Sequence, residues 1–420
     1  MQLRTLACVP MICIVWLSST FGAAAHLCTP RPLPDRCLEP LAPRHWRQIH
    51  RLKRYEPGRY RAVVENCAAA VRRNPNNTSL RVAVATVLFN AGKREDATRL
   101  LSAPDLENDP LALYMRANFL YRSWNGRDKL PEMVRLAERA VASGSLDAVV
   151  LLGYAYEQDI VWSRNEGAAF SLYLKAARAG CAEGMVKAGM YYQFGTHVAQ
   201  NWARALTWYL RAAEAWDAYA MFRAGYVYDE GPRELRNTDR AIYWYRRSAS
   251  LGNGDGMLNL GWMYRHGKGV KRNYGKALYW YRKSYAAGIK GAVNNLAVMY
   301  LNGWGVVRNK RRAAAYFLGA AADRRNVTAM RNLGNLYDEK GNFWDSDPPA
   351  AYFWRYAAYR RAEIAGVRAH LRSDLIDDER KLPSAEAQNV RNEAVDWLNG
   401  GRLPVRYRKG IPEISAFGPP

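Results

Sequence analysis

From residue 146 onward, apolar, glycine and aromatic positions return in the same order about every 36 residues. The segments LLGYAY (151–156), KAGMYY (187–192), RAGYVY (223–228), NLGWMY (259–264) and NLAVMY (295–300) align without gaps, and NLGNLY follows one residue late. Gly153, Gly189, Gly225, Gly261 and Ala297 form one column, continued by Gly334. Tyr156, Tyr192, Tyr228, Tyr264, Tyr300 and Tyr337 form a second. Trp208, Trp244, Trp280, Tyr316 and Phe353 form a third. An alanine column runs Ala169, Ala205, Ala241, Ala277, Ala313 and Ala350, and an asparagine column runs Asn165, Asn201, Asn237, Asn273 and Asn309. A fixed period of this length is the signature of a stacked repeat.

Each column has a physical reading. Glycine or alanine in mid-helix costs up to ~1 kcal/mol of propensity for glycine, so a close helix–helix approach must offset it. The tyrosine lies one turn further along the same face. Gly267, Gly269, Gly303 and Gly305 supply a sharp reversal where positive φ is needed. The asparagine caps the second helix by accepting from its free N–H groups, and the alanine and Trp-Tyr positions of that helix face the first one. Gly180, Gly252 and Gly288 close its far end. Each unit is therefore helix, turn, helix, and stacking builds a core that no single pair can bury alone. Ala117 and Gly144 keep the register in a degenerate unit made of 111–121 and 133–144, with further helices expected at 58–77 and 84–101. Pro383 to Leu398 reads as an amphipathic closing helix and 401–420 as a loose tail.

The N-terminus changes the picture of where the chain works. Arg4, the apolar run Leu6 to Leu17 and the small residues Ala23-Ala24-Ala25 read as an export signal over 1–25, cleaved near Ala25. The run is too short to span a bilayer, which needs ~20 apolar residues. A proline-rich lead-in follows at 26–57. Export places Cys28, Cys37, Cys67 and Cys181 in an oxidising compartment. Cys28 with Cys37 is the first expected pairing and Cys37 with Cys67 the alternative, with Cys181 read as a buried thiol at a repeat junction.

The stretch NLGWMYRHGKGVKRNYGKALYWYRKSYAAG (259–288) carries a family resemblance: it closely resembles the Sel1-like repeat, a relative of the tetratricopeptide repeat. The resemblance covers 146 to about 360, with 58–145 as divergent tetratricopeptide-like helices and 361–400 as terminal capping helices. The 217–252 unit departs from it at Pro232, and the first unit shows Asp159 and Val161 in place of its turn glycines. The resemblance implies an all-α, right-handed α-α solenoid of 36-residue helix pairs. It also implies a non-enzymatic scaffold: in bacteria a periplasmic regulator, a host-interaction factor or an immunity protein against a toxic effector, and in eukaryotes a lumenal quality-control adaptor.

The residues themselves offer no catalytic constellation. His26, His45, His50, His197, His266 and His370 are scattered, and no metal spacing, nucleophile elbow or phosphate loop is present. Gly252 to Gly256 is glycine-rich but follows no strand, so it reads as a turn. The acidic run Asp374, Asp377, Asp378 and Glu379 reads as a solvated helix face. No catalytic residue, metal or cofactor is expected.

Charge is the feature that points to function. The chain carries 62 Lys plus Arg against 38 Asp plus Glu, a formal charge of +24. Between Asp255 and Asp323 there is no acid, while the same stretch holds Lys268, Lys271, Arg272, Lys276, Arg308, Lys310, Arg311 and Arg312 among its cations. The residue before the asparagine cap is Arg164, Gln200, Arg236, Arg272 and Arg308. In a stacked array these fall on one edge at roughly the ~10 Å spacing of packed helices. Lys187, Arg223, Asn259, Asn295 and Asn332 form a second candidate set on the concave face, where asparagine is unfavourable in a helix unless packing or a ligand uses it. The excess charge predicts an acidic protein partner or an anionic envelope surface; nucleic acid fits poorly with an export signal.

Overall fold

A computed structural model describes residue 69 and residues 71–413, apart from 91, 123–128, 159–164, 323, 339–345, 364 and 409. The signal segment, the proline-rich lead-in and the pair Cys28–Cys37 lie outside the described residues. Among the described residues there are helices and turns and no strand. The chain divides into two compact units, residues 1–251 and 252–420.

The first unit holds α1 (Thr78–Asn90), α2 (Arg94–Leu101), α3 (Pro110–Arg122), α4 (Leu130–Ala142), α5 (Leu146–Glu157), α6 (Glu166–Arg178), α7 (Ala182–Phe194), α8 (Trp202–Glu214), α9 (Ala218–Glu230) and α10 (Thr238–Ser250). Successive helices pack on one another. The expected helix at 84–101 is two helices, because Gly92 takes φ +86 between α1 and α2.

The repeat columns do what their chemistry requires. Tyr173, Tyr209 and Tyr245 on the second helices are fully buried, each ring lying on the mid-helix glycine of its partner helix. A Cβ at Gly153 would sit 2.5 Å from the Tyr173 ring, and one at Gly189 2.6 Å from Tyr209. A side chain there forces the tyrosine ring out of place, so glycine is favoured by contact distance. Asn165, Asn201 and Asn237 each accept from the backbone N–H three residues on, at 2.9, 2.8 and 2.9 Å, satisfying helix donors that have no partner of their own. Where Pro232 replaces the second turn glycine, a 3-10 turn at Arg233–Leu235 closes the reversal.

Cys181 differs from expectation. It stands where Ser145 and Asp217 cap their helices with side-chain acceptors, makes no capping bond itself, and is disulfide-bonded rather than a free thiol. Its partner is outside the described residues.

The second unit holds α11 (Gly254–His266), α12 (Tyr274–Ala286), α13 (Gly291–Asn302), α14 (Lys310–Ala321), α15 (Val327–Asp338), α16 (Pro348–Arg361), α17 (Ala365–Glu379) and α18 (Ser384–Leu398). The same devices recur: Asn273 and Asn309 cap at 2.8 Å, and Gly267, Gly269, Gly303 and Gly305 adopt φ of +72, +66, +71 and +69. At the C-terminal end, α16 packs against α15, α17 and α18.

Two expectations for this end are corrected. Asp378 is not solvated: it is fully buried and accepts from Arg355 at 2.6 and 2.7 Å, with Lys381 at 3.4 Å. Burial pushes the Asp378 carboxyl up against the pull of Arg355. Burial also acts to raise Asp338, but hydrogen bonds from Lys381 and Arg355 together outweigh it and hold that carboxyl low. Residues 401–408 are not a loose tail. Tyr407 is buried, its ring stacks on Phe353 at 4.0 Å, and its carbonyl accepts from Trp354 Nε1 at 2.9 Å and from the Tyr337 hydroxyl at 3.2 Å. One buried aromatic with two backbone anchors holds a segment whose composition gives no helix signal.

Candidate protein-binding surface

The turns of the second unit carry the densest basic surface. The turn between α11 and α12 presents Lys268, Lys271 and Arg272; the turn between α13 and α14 ends on Arg308, and Lys310, Arg311 and Arg312 open α14. The two turns touch. A Cβ on Gly305 would lie 2.6 Å from the Tyr274 backbone, and Trp304 stacks on the Tyr274 ring at 5.2 Å and 5°. Arg272 lies over the other partner of that stack, 5.6 Å from the Tyr274 centroid, and Arg265 lies 4.9 Å from Trp304. Guanidinium and aromatic rings therefore alternate along the edge, and cation–π contact fixes the arginines without cancelling their charge. Lys271, Arg272, Lys276 and Lys283 are exposed and pair with no carboxylate among the described residues.

The residue before the asparagine has a structural role at three of these positions that sequence reading missed. Arg308 Nε donates to the Leu301 carbonyl at 2.9 Å, Arg236 Nε to the Gly231 carbonyl at 2.7 Å, and Gln200 Nε2 to the Gln193 carbonyl at 2.8 Å. Each satisfies a carbonyl at the C-terminal end of the first helix, where a cation also complements the helix dipole. Arg236 lies in the first unit and Arg164 lies outside the described residues, so only Arg272 and Arg308 stand on successive turns of one unit. Arg312 is held 4.5 Å over Tyr300.

A further column was legible at the same period but not read. Arg204, Arg240, Lys276 and Arg312 stand over Tyr192, Tyr228, Tyr264 and Tyr300 at 5.6, 5.5, 5.4 and 4.5 Å. Each is also the residue whose backbone N–H the asparagine cap accepts.

Three members of the second candidate set are engaged internally. Lys187 Nζ pairs with Glu157 at 2.7 Å and lies 4.2 Å over Tyr154. Arg223 donates to Gln193 Oε1 at 2.6 Å and to the Tyr209 hydroxyl at 3.4 Å. Burial pushes the Tyr209 hydroxyl up to about 12 although Arg223 pulls it down, so the phenol stays protonated and donates to Gln193 Oε1 at 2.8 Å. In the second unit Arg265 donates to Asn295 Oδ1 at 3.4 Å. Asn259 and Asn332 are half-buried. Lys187, Arg223 and Asn295 join repeat to repeat rather than standing ready for a ligand.

Chemistry of another kind is thinly represented. Among the described residues no three His, Cys, Asp or Glu side chains gather as metal ligands, and no helix is long and apolar enough to cross a membrane. A shallow groove of about 530 Å³ between α16 and α17 is lined by Tyr359, Glu363, Arg368 and Arg372 among others.

Comparison with known proteins agrees with the repeat geometry. The Sel1 repeat family matches residues 146–181, 182–215, 218–253, 254–289 and 291–324. No curated protein matches the chain. Among solved structures, a Sel1 repeat protein from Oxalobacter formigenes shares 26% identity, with 66% of this chain and 96% of that one aligned at a TM-score of 0.46. A protective antigen of uropathogenic Escherichia coli with an SLR fold shares 21%, aligning 80% of each chain at 0.45. An immunity protein from Pseudomonas aeruginosa shares 16%, aligning 62% of this chain and 89% of that one at 0.34. Sel1 repeats are in general non-catalytic scaffolds suited to protein–protein interaction. The α15–α16 pair continues the helix-pair construction beyond the last matched residue. Residues 146–324 of the chain carry five Sel1 repeats.

Proposed function

We propose that this chain is an exported, non-enzymatic scaffold of the bacterial envelope that binds an acidic protein through the basic turns of its second unit. The observation that carries this reading is the stretch 256–322, which holds twelve Lys and Arg and no Asp or Glu. Surfaces exposed to water ordinarily mix signs, and a one-signed edge steers an oppositely charged partner and is screened by salt. Export is supported by the N-terminal signal pattern and by the disulfide at Cys181, since disulfides persist in oxidising compartments. A regulator, an interaction factor and an immunity protein all fit such a scaffold.

The test is affinity capture from envelope extract at low and high salt, comparing the parent with Lys271→Glu/Arg272→Glu/Arg311→Glu. These positions are chosen because Arg308 and Arg312 also support the fold. The captured protein should be lost in the triple variant and released by salt. Equal capture by parent and variant overturns the reading. The charge of +24 also favours an anionic polymer or lipid surface; capture of nucleic acid or anionic vesicles in place of protein decides for that alternative.

A further inference from the structure

The junctions between repeats provide an internal comparison. Gly144, Gly180, Gly252 and Gly288 take φ of +89, +90, +89 and +87, the left-handed conformation that ends a helix cleanly and that side chains disfavour. At the equivalent place between α8 and α9 stands Trp216, with φ +63. A bulky residue there is a true outlier. Burial does not offset it, because Trp216 is 48% exposed. Arg324, the other exception at φ +58, has an evident structural role, since its guanidinium donates to the Gly401 carbonyl and anchors the C-terminal segment.

What Trp216 does instead is complete a cluster on α10. The Arg247 guanidinium lies 4.9 Å from the Trp216 ring, 5.6 Å from Tyr243 and 5.6 Å from Trp244, and its Nη1 donates to the Tyr243 hydroxyl at 2.8 Å. Tyr243 is 50% exposed. Arg247 is half-buried among rings and forms no ion pair with a carboxylate among the described residues. The nearest acid in sequence, Asp217, caps α9 by accepting from the Ala220 N–H at 2.6 Å. The same helix position carries Arg211 beside Trp208 and Lys283 beside Tyr279 and Trp280, but the junction facing those helices is Gly180 in one case and Gly252 in the other. Of these three aromatic–cation pairs, the one on α10 is extended by a tryptophan held in an unfavourable backbone conformation.

We propose that Trp216, Tyr243, Trp244 and Arg247 dock a segment of a partner protein that presents a carboxylate beside an apolar side chain. Rings around the guanidinium strip water from it and leave its charge intact, so an incoming carboxylate meets a preorganised, partly desolvated fork. The exposed faces of Trp216 and Tyr243 supply the apolar contact, and Trp, Tyr and Arg are the residues that dominate protein interfaces. Unfavourable backbone at an exposed site points to function rather than packing. The cluster uses none of the residues of the basic turns, so it stands or falls independently of them.

The test titrates the full chain with two blocked peptides, Asp-Phe-Glu-Leu-Asp and Lys-Phe-Lys-Leu-Lys, read on the Trp216 indole N–H resonance and by fluorescence. The acidic peptide should bind saturably and the basic one should not. Trp216→Gly and Arg247→Gln should each weaken binding about tenfold or more, while Trp208→Ala leaves it unchanged. Trp216→Gly restores the ordinary junction residue, so its Tm should hold or rise; this separates a binding role from a structural one. The proposal is overturned if the acidic peptide fails to bind, if both peptides bind alike, if Trp216→Gly binds as the parent does, or if its Tm falls. Trp216-dependent binding of phosphatidylglycerol vesicles in place of the acidic peptide likewise overturns it.

Discussion

Repeats of the first and second units share a skeleton and differ in the sign of their internal polar contacts. Ser248 in one and Ser284 in the other donate to the carbonyl that opens the preceding first helix, Ala218 at 2.7 Å and Gly254 at 2.8 Å. Tyr209 and Tyr281 lie on Gly189 and Gly261 in the same way. Yet where Glu157 and Gln193 accept from Lys187 and Arg223 in the first unit, Arg265 donates to Asn295 in the second. Backbone-determined columns keep their residue types; the polar node needs only one donor and one acceptor, and either partner can be either. Charge is therefore free to drift between units while the packing stays fixed.

This comparison can be broken or sharpened in order of effect. The second unit ends on a buried ionic network, Arg355 with Asp378 and Asp338. Arg355→Ala leaves a buried carboxylate short of its main partner and should cost ~3–5 kcal/mol in denaturant unfolding. A loss below ~1 kcal/mol would mean Lys381 suffices and that the network is ornamental. Gly189→Ala and Gly261→Ala place a methyl 2.6 and 2.8 Å from a tyrosine ring; each should lose ~1–3 kcal/mol, and near-equal losses are required if the skeleton is shared. Unequal losses would show that the two units tolerate strain differently. Asn201→Ala and Asn273→Ala remove equivalent caps and should each cost ~1 kcal/mol by the same measurement.

What sequence revealed was what the chain repeats. Glycine, tyrosine and asparagine columns agree over several units because each answers a local geometric demand, and the structure places every described member where that demand lies. The arginines preceding the caps were visible too, but a donor to a helix carbonyl and a surface ligand look alike in one dimension. Arg204, Arg240, Lys276 and Arg312 were equally periodic and only their rings, twelve residues earlier, explain them. Features that occur once were not legible. Burial of Asp378 depends on Arg355, 23 residues away, docking of Tyr407 depends on Tyr337 and Trp354, and the bonding of Cys181 depends on a distant thiol. Trp216 could have been noticed as a gap in the junction glycines, yet only its φ and exposure give that gap meaning.

The arginine donor that closes the first helix at Arg236 and Arg308 has a consequence for how such chains grow. An arginine serves there because a carbonyl needs satisfying, and it brings a full positive charge with it. Tandem duplication of a unit copies both. A lineage that lengthens by whole repeats thus becomes steadily more attractive to anions along one margin, before any partner has shaped it, and recognition can begin as a by-product of capping.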